Sequence, residues 1–255
     1  MEKLTVDLTE RNRDEGLQVV RVLTFMIIGL WLTGCVSVPF EEPTMQALDE
    51  DVSPRQMVSD YVDRLAPLQV AEKNLVFRLS LFFGLYRQEH AVLGYARINR
   101  EAGTFAITAL TPLGLQLFHL DGDLDQVERR YAIAEFADRP EFLEAVAEAI
   151  RIIYFDLSPE PDAQFRLRRD RVVFSEPAEK GRIEYVFGGP KMALLQKRWR
   201  RWWGSPWRVS YYEYADKNGM LVPRGVALQR RRGLLRYRVY LRIRDVSFDR
   251  KEHNQ

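Results

Sequence analysis

Apolar residues recur along this chain at two different periods, and the switches between them predict its elements. From Leu75 to Leu85 every second position is apolar: Leu75, Phe77, Leu79, Leu81, Phe83 and Leu85, with Arg78, Ser80 and Gly84 between. Phe105, Ile107 and Ala109 repeat the pattern, and past Pro112 so do Leu113, Leu115 and Leu117. Ile183, Tyr185 and Phe187 alternate with Arg182 and Glu184; Leu235, Tyr237, Val239, Leu241 and Ile243 alternate with Arg236, Arg238, Tyr240, Arg242 and Arg244. Successive side chains of a strand point to opposite faces, so this is antiparallel sheet with one apolar and one wet face. Roughly eight to eleven such strands are expected, and "LDGDL" at 120–124 is a turn between two of them. Two stretches change to the helical period. Ser53-Pro54-Arg55-Gln56 has the form of a helix start, followed by Met57, Val58, Tyr61 and Leu65. Residues 139–154 place Phe142, Val146, Ala149, Ile150 and Ile153 on one stripe. The fold class expected is mainly β (α+β): a curved antiparallel half-barrel sheet closed by helices on its concave face. Periodicity does not distinguish a packed concavity from an open one, and both readings stand at this point.

Residues 22–32 form an uncharged apolar run that is too short to cross a bilayer as a helix, which takes roughly 20 residues. It fits the apolar region of a signal peptide, with Arg21 before it and the small Thr33 and Gly34 after it. Leu32-Thr33-Gly34-Cys35 resembles the lipobox of bacterial lipoproteins and holds the only cysteine. The alternative is a buried structural cysteine. On the lipobox reading Cys35 carries the lipid anchor, 1–34 is a signal peptide, 35–52 a Pro- and acid-rich tether, 53–250 the folded domain and 251–255 a tail. Residues 1–21 are long and mixed in charge for a signal start, so a start at Val19 or Val20 is expected.

Charge and motifs narrow the chemistry. The formal net charge is +2; without residues 1–34, which hold four basic and five acidic residues, it is +3. His90, His119 and His253 are far apart, and no H-E-x-x-H, G-x-S-x-G, phosphate loop, dinucleotide fingerprint or paired-cysteine site occurs. Asp121 and Asp123 read as a hairpin turn, since a calcium loop needs further oxygen ligands. No catalytic residue, metal or cofactor is expected, and the chain is read as a non-enzyme.

Two features remain that carry a function. The first is the apolar face, read as a cavity for hydrophobic chains lined by Phe77, Leu79, Leu81, Phe83, Phe105, Ile107, Leu115, Leu117, Phe142, Val146, Ile150 and Ile153. The second is "LLQKRWRRWWGSPWRVSYYEY" at 194–214, where Arg198, Trp199, Arg200, Arg201, Trp202 and Trp203 are expected to touch a membrane. Tryptophan and arginine also serve nucleic acid, a partner an exported lipoprotein does not meet. Trp207, Val209 and Tyr211 are expected to face inward on a strand.

Gly94 and Arg97, Phe105, Thr111-Pro112-Leu113-Gly114 with Leu117-Phe118, and the closing Pro206-Trp207-Arg208 and Pro223 carry a resemblance over most of Leu68 to Asp245. The chain resembles the LolB-like outer-membrane lipoprotein receptors and LolA-like periplasmic carriers of lipoprotein localisation. It looks closer still to a family of lipoproteins found beside aryl polyene biosynthesis genes. The resemblance implies a half-barrel that holds acyl chains, no catalytic residues, and, in the receptor, a leucine on a protruding loop that enters the membrane. Val36 after the cysteine fits sorting to the outer membrane. The function expected is an outer-membrane lipoprotein facing the periplasm. It binds or transfers a hydrophobic ligand (lipoprotein acyl chains, a glycolipid or a polyene lipid), with a periplasmic carrier as partner. The alternatives are a scaffolding lipoprotein with a filled core, or a lipid or glycan hydrolase.

Overall fold

The computed structural model describes residues 38–48, 53–65, 75–85, 88–201, 206–217, 220–232 and 235–248. Contacts divide the chain into two units, Met1–Val38 and Pro39–Gln255, and the second holds the sheet and its helices. The expected signal peptide, Cys35, Trp202, Trp203 and the expected tail lie outside the described residues.

Helix α1 (Pro54–Leu65) precedes five strands: β1 (Leu75–Leu85), β2 (Gln88–Asn99), β3 (Thr104–Leu110), β4 (Gln116–Gly122) and β5 (Val127–Ala132). Helices α2 (Ala134–Ala137) and α3 (Pro140–Tyr154) follow. The chain then returns to strands β6 (Gln164–Arg168), β7 (Arg171–Ala178), β8 (Gly181–Gly188), β9 (Ala193–Arg201), β10 (Trp207–Lys217), β11 (Met220–Arg232) and β12 (Leu235–Phe248). All twelve join one antiparallel sheet in the order β5-β4-β3-β2-β1-β12-β11-β10-β9-β8-β7-β6. Only the β1–β12 pairing is non-sequential, and β5 and β6 are left as open edges. The described residues form twelve strands, more than the eight to eleven expected. The uncounted ones include β5 (VERRYA) and β6 (QFRLR), whose mostly exposed residues show no clean alternation because an edge has less to bury.

The sheet curves around α3. Arg151 of this helix donates to the carbonyls of Asp123 and Gln126 in the β4–β5 turn, each at 2.7 Å. Just past the helix end, the Phe155 carbonyl accepts from Lys197 on β9 at 2.9 Å. The order of strands puts β4 and β9 seven intervals apart, roughly 34 Å on a flat sheet. One helical turn and two side chains do not span that distance, so the two halves fold toward each other with α3 between. The apolar residues of the strands face this helix in a single core, and α1 adds Met57 and Tyr61 to it.

Candidate functional site

The interior is built on α3. Proline at its first turn starts the helix without losing a hydrogen bond, and its apolar stripe buries Phe142, Ile150 and Ile153. Near its start Phe142 stacks on Phe136 at 5.0 Å between ring centres and meets Phe118 of β4 edge-on at 6.0 Å. A helix C-terminus leaves four carbonyls without intrahelical partners. Here three consecutive ones receive side chains from the sheet. Tyr211 donates its hydroxyl to Ile153 at 2.9 Å, Arg100 its Nε to Tyr154 at 2.9 Å, and Lys197 its ammonium to Phe155 at 2.9 Å. Two of these donors are cations, and the partial negative charge of a helix C-terminus favours both.

These groups sit in a dry setting. Burial pushes the Lys197 ammonium down to about 8, although Asp156 and Glu176 act to raise it. The Lys197 ammonium lies 5.6 Å from the ring centre of Trp207 and 5.9 Å from that of Tyr185. Burial likewise lowers the Arg100 guanidinium and raises the Tyr61 phenol to about 12. A cavity of about 20 Å³ adjoins them, lined by Tyr61, Arg100, Tyr154, Tyr211 and Tyr214 among others. It has room for one water-sized group. Arg100 Nη1 is buried there with no hydrogen-bond partner among the described residues.

Most residues expected to line a cavity meet in this interior. Phe105, Ile107, Phe142, Ile150 and Ile153 are buried in the core, and Leu117 and Val146 pack against it. The register of β1 sets Phe77 opposite Ala96 and Val246, Leu79 opposite Gly94 and Ile243, Leu81 opposite Val92 and Leu241, and Phe83 opposite His90 and Val239. Of these partners Ala96, Val92, Leu241, Ile243 and Val246 are buried, while the four side chains themselves lie outside the described residues. Leu115 is the correction: it is 66 % exposed. Thr111–Leu115 forms a turn closed by Gly114 N–H to the Thr111 carbonyl at 2.9 Å, with Gly114 at φ +85°, and β4 begins only at Gln116. The same turn leaves Leu113 90 % exposed between Pro112 and Gly114. Sequence reasoning placed Leu113 in a strand; a lone leucine between proline and glycine was the available sign of a turn tip.

The outer face of β6–β10 is a different surface. Strand alternation splits the expected membrane patch. Trp199 packs inward beside Trp207, with ring centres 6.4 Å apart, while Arg198 and Arg200 point outward. Trp199 is thus half-buried against the core; the Arg201 side chain lies outside the described residues. Which residues take which side is set by a register shift between Val186 and Phe187, which pairs Phe187 with Leu194 but Val186 with Gln196. Leu194 and Lys197 therefore both face inward, three positions apart. Outside, Glu184 accepts from Arg182 at 3.1 Å, Arg198 at 2.5 Å and Arg200 at 3.0 Å. A groove of about 560 Å³ runs over this face, walled by these groups, by Arg166, Arg168 and Arg171, and by Glu42, Pro43 and Met45. The expected tether thus lies, for Pro39–Leu48, along the sheet. Phe40 is buried against Gly225 and stacks under Arg242 at 4.8 Å, and Leu48 N–H reaches the Arg169 carbonyl at 2.9 Å.

The remaining sequence candidates are accounted for locally. His119 Nδ1 lies 2.7 Å from Thr108 Oγ1, and its Nε2 3.2 Å from Asp121. Asp123 caps its own turn, and the N–H groups of Gln126 and Asp125 hold its carboxyl below the usual value. Among the described residues no cluster of three or more His, Cys, Asp or Glu could hold a metal ion, and no helix is long and apolar enough to cross a membrane.

No protein-family model matches the chain, and no curated protein does. Among solved structures it is similar to an outer membrane lipoprotein-sorting protein domain from Vibrio parahaemolyticus, at 10 % identity and a TM-score of 0.43 over 78 % of this chain and 94 % of that one. A LolA superfamily protein from Nitrosomonas europaea matches at 6 % identity and a TM-score of 0.42 over 74 % and 94 %. A DUF1329 family protein from Desulfovibrio piger matches at 9 % identity and a TM-score of 0.39 over 78 % and 95 %. At these values no residue role passes from those proteins to this chain.

Proposed function

We propose that this protein is a lipid-anchored carrier of the bacterial envelope, held at the outer membrane through Cys35, that takes up a hydrophobic ligand between its curved sheet and helix α3. Acyl chains of a lipoprotein, a glycolipid or a polyene lipid fit the chemistry of the inner face. The observation that carries the reading is how α3 is held. Its end is fastened by three side-chain hydrogen bonds, from the β2–β3 turn, β9 and β10, and opening them requires no change in the strand ladder. Lifting the helix uncovers Phe142, Ile150 and Ile153 together with the sheet beneath. A ligand chain replaces that burial at about 0.8 kcal/mol per methylene. The exchange is therefore nearly balanced, as transfer requires. Leu113, at its exposed turn, is the apolar side chain offered to an acceptor membrane.

A second reading has support of its own. The cavity beside the latch is only about 20 Å³, as in a scaffolding lipoprotein whose filled core serves stability alone. Native mass spectrometry of the full-length Cys35→Ala chain, purified without detergent, decides between them. A bound mass that extracts as lipid is the expected result. An apo mass from a folded sample overturns the carrier in favour of the scaffold.

A further inference from the structure

The outer face of β6–β10 is arranged against its own stability. Three arginine pairs stand directly opposite each other across adjacent strands: Arg168 and Arg171, Arg182 and Arg200, Arg198 and Arg208. Like charges in that position repel and weaken a sheet. Glu184, its side chain only 8 % exposed, offsets part of this by accepting from three arginines at once, and Asp170 pairs with Arg171 at 2.7 Å. Among the described residues Glu42 and Glu184 are the only carboxylates lining the groove, against six arginines. Arg166, Arg168 and Arg208 are exposed, and Arg182 and Arg200 keep about half of their side-chain surface in solvent.

The path of the chain says what this face meets. Pro39–Leu48 crosses the outer surface from Phe40, against Tyr212, Gly225 and Arg242, to Leu48 at the β6–β7 turn. Cys35 lies four residues before Pro39, a span of at most about 14 Å. If Cys35 is held in a bilayer, this short connection keeps the outer face beside the headgroups. We propose that the arginine face of β6–β10 docks on the membrane that holds the anchor, its guanidinium groups on the phosphates of anionic phospholipids. Guanidinium groups bind phosphate oxygens through paired donors. A surface five strands wide, about 20 Å across, suits a field of headgroups better than one small anion. Its orientation rests on the lipid-anchor reading of Cys35.

The test uses the full-length Cys35→Ala chain, so that binding depends on the face and not on acyl chains. In co-sedimentation it should bind phosphatidylglycerol vesicles at least tenfold more tightly than phosphatidylcholine vesicles, and raised salt should weaken it. Replacing three arginines, Arg166→Gln with Arg168→Gln and Arg200→Gln, should weaken phosphatidylglycerol binding by about a hundredfold with the melting temperature kept. The control Arg129→Gln with Arg130→Gln, two exposed arginines on the opposite edge strand β5, should leave binding unchanged. Equal binding to both vesicles overturns the proposal, as does an unaffected triple variant. Displacement by stoichiometric inorganic pyrophosphate overturns it in favour of a discrete anion site. The anchor is tested separately by the mass of Cys35 in membrane-extracted protein: an unacylated cysteine overturns the orientation, while the vesicle comparison still judges the face.

Discussion

Two faces of the same three strands, β8 to β10, handle positive charge in opposite ways. Inside, Tyr185, Lys197, Trp207, Val209 and Tyr211 form a dry surface, and its cation, Lys197, is held by a helix-end carbonyl. Outside, Arg182, Arg198 and Arg200 share the carboxylate of Glu184, and Arg208 stands opposite Arg198. Neighbouring residues in sequence, Lys197 and Arg198, thus have unrelated tasks. A cation facing inward is an element of construction, because removing it strands a buried carbonyl. A cation facing outward beside others of its kind costs the sheet a little and is available to a partner.

The strongest way to break this contrast is to truncate one residue on each side of β9. Leu194→Ala, on the fully buried inner side, should lower stability by about 2–5 kcal/mol in urea unfolding. Gln196→Ala, outside, should change it by less than about 0.5 kcal/mol. Similar losses would mean the two faces are not distinct. Next comes the latch. Arg100→Met leaves the Tyr154 carbonyl without its charged donor and should cost about 2–3 kcal/mol, whereas Arg198→Met, which leaves Glu184 two arginines, should cost about 1 kcal/mol or less by the same denaturation measurement.

Glu184→Gln sharpens the outer side. With the carboxylate gone the arginines face each other, and stability should fall by about 1–2 kcal/mol at low salt, with most of the loss recovered at high salt. A salt-independent loss would assign Glu184 to packing. A different kind of effect is a slope with pH. Lys197 has its ammonium lowered to about 8 in the fold against 10.5 free, so between these values the unfolded chain binds more protons and stability rises with pH. Tyr61, Tyr154, Tyr185, Tyr211 and Tyr214 have raised phenol values, so above about pH 10 the unfolded chain loses protons first and stability falls. Thermal melts should show a rise from pH 8 to 10 and then a decline; Lys197→Met should abolish the rise and keep the decline.

Much of this architecture was legible in the chain. The Ser53-Pro54 start and the stripe at 139–154 mark the two longer helices within a residue or so, and Trp207, Val209 and Tyr211 face inward as their alternation requires. Edge strands β5 and β6 were harder to read, because exposed residues carry no clean apolar period. Leu115 was misplaced because a turn interrupted the alternation that continued on paper. In the run from Lys197 to Arg201, arginine and tryptophan looked like one patch, and strand alternation sent them to two sides, a register shift upstream setting which side each took.

The sequence by itself determined that the chain builds a sheet with one apolar face and a helix to cover it, since period and polarity are local properties. It did not determine which cations enter the core. That was decided by one extra residue in the β8–β9 ladder, which inverts the facing of everything after it. Nor did it announce the latch. Arg100, Lys197 and Tyr211 find carbonyl partners 54, 42 and 58 residues away in the chain, and such bonds exist only once the curvature of the sheet has brought both halves to the same helix end.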